Sequence, residues 1–359
     1  RLVVNAGSIQ ERDDQRGFAH FTEHMLFNGT AKFPKNDIVK YLQSIGVSFG
    51  ADLNAYTSFD ETVYILPIPT TDRSYLEKGF DILEDWAAHA SFEAEDIDNE
   101  RKVIFEESRL FKGADERFYN KYFPKLFANS LYGVRLPIGL DSIIKNGSHE
   151  SLRSFYTDWY RPNLMAVIVV GDITIEEGEA LVKKHFGALK NPSNELPRTY
   201  ATIETFDKSQ AIVLTDKEAT RYNVEIIFNP RTIENPQVVQ NYRKQIVQEL
   251  FEAILNQRFS DLVESANPPF VNARATTAQL TRKNEAFALN ITPNKDIQTS
   301  IKTAIEELQR TAKFGITASE LDLVKKNKLS VLDKFYKERN NLNSDYFVNE
   351  YINHFLNNE

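Results

Sequence analysis

The sequence predicts a mixed α+β protein made of two domains, and three observations lead there. Helix and strand signals alternate along the 359 residues. The segment LKNPSNELPRT at 189–199 is polar, carries two prolines and reads as a linker. On its far side a similar strand, helix, strand, helix, helix order starts again, as in a degenerate internal repeat. The length is enough for two cores of ordinary size. The expected division is therefore 1–190, a linker at 191–199, and 200–359.

Each element has its own signal. RLVVNAGSI opens the chain as a strand. Ile38, Leu42 and Ile45 form a helical stripe that Gly46 ends. The run NAYTSFDETVYILPIP, 54–69, reads as a strand bounded by prolines. Leu76, Phe80, Leu83 and Trp86 mark one face of a helix, and another follows from about Ala94 to Leu110. LMAVIVVGDI from Leu164 is a buried strand, after which Thr174 and Glu177 make a capping box. Beyond the linker, AIVLT and YNVEIIF are strand-like. A long helix bears Tyr242, Ile246, Leu250 and Ile254 on one side. The strand FALNITP, a helix striped by Ile297, Ile301, Ile305 and Leu308, and a last helix capped by Thr317 and Glu320 complete the order. The chain starts within a strand and stops within a polar, helix-like stretch, so it reads as part of something longer.

Composition narrows the function classes. Hydrophobic content of 42% and charged content of 26% belong to a globular protein. A net charge of −8 leaves no basic surplus for neutralising phosphates, which argues against nucleic acid and against anionic membranes. No run reaches the roughly 18 apolar residues of a membrane span. With no cysteine, disulfides and thiolate metal sites are excluded.

One stretch carries chemistry: HFTEHMLFNGT, 20–30. Positions i and i+4 share a helix face, so His20 and His24 can aim two imidazoles at one point, and Glu23 lies beside them. This is the HxxEH arrangement, the reverse of the HExxH zinc motif, in which the glutamate acts on water at the metal. Zinc in such a site takes a third protein ligand and keeps a position open. The helix after Ser91 offers Glu93, Glu100 and Glu107, spaced by seven and so on one face. Periodicity does not choose among them, and a solvated acidic stripe is the plain alternative. The second part of the chain has only His354, so any chemistry belongs to the first.

Four co-linear stretches add a resemblance: GFAHFTEHMLFNGT, FGADLNAYTSFDETVY, NERKVIFEE and FYTDWYRPNLMAVIVVGD. Together they resemble the pitrilysin or insulinase (M16) family of zinc peptidases, which includes the mitochondrial processing peptidases. The likeness covers the first domain in order and is weaker in the second, where it rests on helix order and LNQRFSDL. It implies two related domains, each a mostly antiparallel sheet packed by helices, and one Zn²⁺ per chain. It implies a zinc metalloendopeptidase acting on peptides or unfolded segments. A non-catalytic subunit or peptide-binding scaffold that keeps the fold is the competing reading.

The resemblance also implies residue roles. His20 and His24 are ligands and Glu23 is the general base. The third ligand is the glutamate of an E-R/K-x-V-I stretch, here Glu100, 76 residues after His24. Glu93 then supports a ligand from behind, and Glu107 is a surface residue. Asn54, Ala55, Tyr56 and Thr57 match the strand edge that pairs with substrate; Phe27 and Phe49 are candidates to line the cleft. The family closes two related halves on one another, so a homologous C-terminal half or partner subunit is expected to complete the chamber. Likeness to bacterial members suggests a periplasmic or secreted setting.

Overall fold

Leu2, Val3 and Val4 are all fully buried, which marks their strand (β1, Leu2–Val4) as one covered on both faces. Three more strands complete its sheet: β2 (Asn54–Thr57), β3 (Thr62–Ile65) and β4 (Met165–Val167), in the order β2-β3-β1-β4 and all antiparallel. The registers Leu2↔Tyr64, Val3↔Val63 and Ala55↔Tyr64 sort the side chains by the two-residue period of a strand. Leu2, Val4, Ala55 and Tyr64 join one apolar cluster, while Val3, Val63 and Ala166 join another. The computed structural model describes residues 1–48, 50 and 54–358, and divides into two units, Arg1–Ala201 with Asn343–Asn358, and Thr202–Leu342.

Among the described residues of the first part of the chain, eight α-helices follow: α1 (Phe18–Met25), α2 (Asp37–Ser44), α3 (Arg73–Ala88), α4 (Ala94–Phe111), α5 (Ala114–Leu126), α6 (Asp141–Asn146), α7 (His149–Trp159) and α8 (Ile175–Phe186). Eight residues are too few for α1 to be stable alone. Phe18, Phe21 and Met25 hold it by packing into the core that Ile38, Leu42, Ile82, Trp86, Ile97, Ile104, Leu152 and Phe155 share. Burial of each large side chain contributes about 2–3 kcal/mol. The Trp86 indole adds a hydrogen bond of 2.9 Å to the Leu26 carbonyl at the helix end. The N-terminus of α1 needs a left-handed residue, and Gly17 supplies it with φ 104°. There the backbone also meets Gly139, where a Cβ would fall 2.3 Å from the Gly17 Cα.

The second unit has its own four-stranded antiparallel sheet, built from β5 (Val224–Ile227), β6 (Arg231–Thr232), β7 (Phe270–Thr281) and β8 (Asn284–Pro293). The helices α9 (Val239–Val263), α10 (Ile297–Phe314) and α11 (Ala318–Glu338) belong to it. Leu255, Phe259, Phe270, Leu289, Ile291 and Ala304 form its core. Thr317 and Glu320 make the expected reciprocal cap of α11.

Several expectations are corrected. The run 54–69 is a hairpin, broken where Ser58 N–H donates to the Glu61 carbonyl over 2.8 Å. AIVLT forms no ladder, and β7 was missed because NARATTAQ has small and polar residues on both faces. Three residues of LMAVIVVGDI form β4, and Leu164 and Ile168 on either side add backbone bonds to Asn5 and Arg1. Thr174 caps α8, but the Glu177 carboxylate lies 3.7 Å from the Arg73 guanidinium instead of returning to the cap. The last helix, α12 (Ser344–Asn357), belongs to the first unit, not the second. Its Val348 and Ile352 cover Val3 and Val63 on the face of the sheet away from α1.

Candidate metal centre

The one-turn spacing on α1 brings the two imidazoles together as expected. His20 Nε2 and His24 Nε2 are 3.2 Å apart, and the rings are nearly perpendicular at 85°. The carboxylate that joins them is Glu107. Its Oε2 lies 3.3 Å from His24 Nε2 and 3.6 Å from His20 Nε2. Four donors around zinc at 2.0–2.2 Å stand about 3.3–3.6 Å from one another. The three edges seen here fit a metal that leaves a fourth position open.

Glu100 has a different place. Its Oε1 is 2.8 Å from His24 Nδ1, the far side of the ring, and its Oε2 accepts from Asn28 Nδ2 over 2.7 Å. That contact directs the His24 Nε2 lone pair toward His20 and Glu107. Glu93 is exposed at the N-cap of α4, and its side chain makes no hydrogen bond or ion pair among the described residues. The positions differ from the expected ones by one step of seven. Glu107 stands where Glu100 was expected, and Glu100 stands where Glu93 was. Arg101 sets this level by binding the Ile144 and Gly147 carbonyls, which ties α4 to the chain around α6. Ile97 and Ile104 seat α4 in the core.

Charge follows the geometry. Burial works to lower the His24 pKa, yet hydrogen bonds to Glu100 and Glu107 outweigh it and bring it up to about 10. Burial and the neighbouring His24 move His20 down. Bonding to His24 holds the Glu107 carboxyl below its ordinary value. Two carboxylates around paired imidazoles therefore make a place that favours positive charge. Glu23 is buried beside them, and burial raises its pKa to about 7 against the Thr57 hydroxyl and the charge of His24. Thr57 Oγ1 donates to Glu23 Oε2 over 2.5 Å.

Of the remaining expected residues, Asn54, Ala55, Tyr56 and Thr57 are the whole of β2, at the edge of its sheet. Phe27 packs on Trp86 and Tyr64, with ring centroids 5.3 and 6.2 Å away, and belongs to the core. Phe49 lies outside the described residues.

Two contributors were missed. Asn28 follows His24 by four, so the spacing that found the histidines points to it as well. Glu11 accepts from the Gly17 and Ala19 N–H groups over 3.0 and 2.9 Å and so caps α1. No local signal marks it, because it acts from outside the helix. Burial pushes its pKa up to about 8 against those two N–H groups and the guanidinium groups of Arg135 and Arg16. The folded chain therefore holds a proton that the unfolded chain releases above about 4.5. Stability from this group is complete below that pH and is lost as pH rises through about 8, by on the order of a few kcal/mol. Glu11→Gln is expected to flatten the decline in urea midpoint between pH 5 and 8. Equal slopes for both proteins would refute this.

Asp81, Glu84 and His185 form another group with metal-ligand chemistry. The Lys32 ammonium already sits 2.7 Å from both carboxylates, and His185 Nδ1 and Nε2 lie 2.8 and 3.1 Å from Glu84 and Glu77. Its charge is answered within the fold.

Comparison with known proteins agrees with this fold. The sequence model described as Insulinase (Peptidase family M16) matches residues 1–126, and that described as Peptidase M16 inactive domain matches 147–328. The chain belongs to the M16 peptidase family. It is 37% identical over 265 residues to the probable zinc protease PqqL of Haemophilus influenzae, covering 72% of this chain and 28% of that protein. With the Escherichia coli probable zinc protease PqqL it shares 33% over 336 residues, covering 92% and 36%. The crystal structure of the first half of the periplasmic protease PqqL from Escherichia coli superposes with a TM-score of 0.92 at 30% identity, over 99% of this chain and 76% of that one. Pitrilysin, at 18% identity and TM-score 0.70, shares the fold. The chain spans 28% and 36% of the lengths of the two curated relatives.

Proposed function

We propose that this chain is the metal-bearing part of a zinc endopeptidase that cleaves peptides or unfolded segments. The observation that carries the reading is the meeting of His20 Nε2, His24 Nε2 and Glu107 Oε2 within 3.6 Å of one another, with Glu23 alongside. His20, His24 and Glu107 hold one zinc ion, and Glu100 orients His24 from behind with help from Asn28. When bound, zinc would lower the pKa of water and polarise the scissile carbonyl.

The chain's own residues do the rest. Glu23 takes a proton from the attacking water and passes it to the leaving amine. The edge of β2 offers main-chain groups to an extended peptide, which fixes the scissile bond near Glu23 through the Thr57 contact. The opposite wall of the chamber comes from a homologous half, in the same protein or in a partner.

The test uses the full-length protein. Metal analysis should find one zinc bound at the His20, His24 and Glu107 site. Cleavage of an unstructured peptide should stop with chelator and return with added zinc. Cleavage indifferent to chelator would overturn the reading. A zinc-bound protein that takes up peptide without cutting it would leave a binding scaffold instead.

A further inference from the structure

Glu23 has two carboxylate oxygens, and the fold treats them differently. Oε2 accepts the Thr57 hydroxyl at 2.5 Å; Oε1 has no hydrogen-bond partner among the described residues. A carboxylate on a flexible side chain can otherwise rotate and offer either oxygen, because Glu is among the side chains with most rotamer freedom to lose. A donor fixed on the sheet removes that choice.

Thr57 is well placed for the task. It lies at the end of β2, paired with Thr62 of β3, and the neighbouring Ser58–Glu61 turn holds the strand end. Its β-branched side chain has little χ1 freedom in a strand. The same residue thus belongs to the strand edge and to the contact with Glu23, so one short element serves both.

We infer that the Thr57 hydroxyl is a positioning group that grips Glu23 by Oε2 and leaves Oε1 to work on water, so that it governs turnover and not peptide affinity. This rests on the reading of Glu23 as the general base. In that role the Thr57 hydroxyl touches neither water nor substrate and acts through Glu23, while only the Thr57 backbone belongs to the edge offered to the peptide.

Thr57→Val keeps the branched shape and removes the donor. In the full-length protein it is expected to lower kcat roughly ten- to hundredfold. KM and zinc stoichiometry should stay as in the wild type. Thr57→Ser, which restores the hydroxyl, should recover most of the loss. In a Glu23→Gln background, Thr57→Val should add little further, because the group it positions is already gone. A merely structural role would instead change KM, zinc content and thermal stability together, and would not be rescued by serine.

Thr57→Val at the wild-type rate, Thr57→Ser as slow as Thr57→Val, or losses that multiply in the double variant would each overturn the inference. If Glu23→Gln itself kept wild-type turnover, the general-base reading would fail and take this one with it. An inactive Glu23→Gln beside an unaffected Thr57→Val would fail the positioning role alone.

Discussion

Glu107→Ala is expected to weaken zinc binding at least roughly 10²- to 10³-fold, the share of one ligand in three of a binding free energy on the order of 10 kcal/mol. Glu100→Ala should weaken it less, about 10- to 100-fold, as is usual for a group that orients a ligand. The order follows from which atoms each carboxylate meets. Glu107 Oε2 faces both Nε2 atoms, at 3.3 and 3.6 Å, while Glu100 touches only the Nδ1 side of His24. Glu100→Gln should be milder still, since an amide oxygen can accept from that nitrogen. Glu93→Ala should leave binding unchanged, as its exposed side chain stands apart from the cluster. Titration against a competing chelator gives all four affinities. A larger loss for Glu100→Ala than for Glu107→Ala would return the third ligand to the position expected from sequence spacing.

Glu23→Gln should keep zinc at the wild-type level and lower kcat by about 10²–10⁴, the usual contribution of a general base. The amide can still accept the Thr57 hydrogen bond, so the fold around β2 should hold and KM should change little. The variant separates metal loading from proton transfer: His20→Ala loses both, while Glu23→Gln loses one. Turnover above a tenth of the wild-type rate in a zinc-loaded Glu23→Gln protein would remove Glu23 from the mechanism.

How far the sequence reveals the site depends on the range of each signal. His20, Glu23 and His24 are legible because one helical turn joins them, and helical periodicity acts within an element. The stripe of Glu93, Glu100 and Glu107 is legible as a face for the same reason. Which member meets the histidines is not, because each step of seven moves about 10 Å along the axis with almost no rotation. That level is set by Arg101 and its carbonyl partners near 144–147, contacts that no local pattern encodes. The caps at Thr317 and Glu320 and the stripe of α2 were readable as short-range chemistry. β7 was not, since its residues lack alternation and its partner β8 supplies the order. The position of α12 escaped for a related reason: its sequence shows an amphipathic helix but not the sheet it covers.

That last helix changes what counts as a folding unit. The second unit, 202–342, is an excursion between two segments of the first. A polypeptide cut at the linker would carry the whole metal cluster yet leave Val3 and Val63 bare on one side of the sheet, a wet apolar surface open to self-association. During synthesis the first sheet must wait, half covered, until the ribosome has added the entire excursion and then α12. Closing so long a loop costs little more than closing one half its length, so the delay weighs on kinetics far more than on final stability.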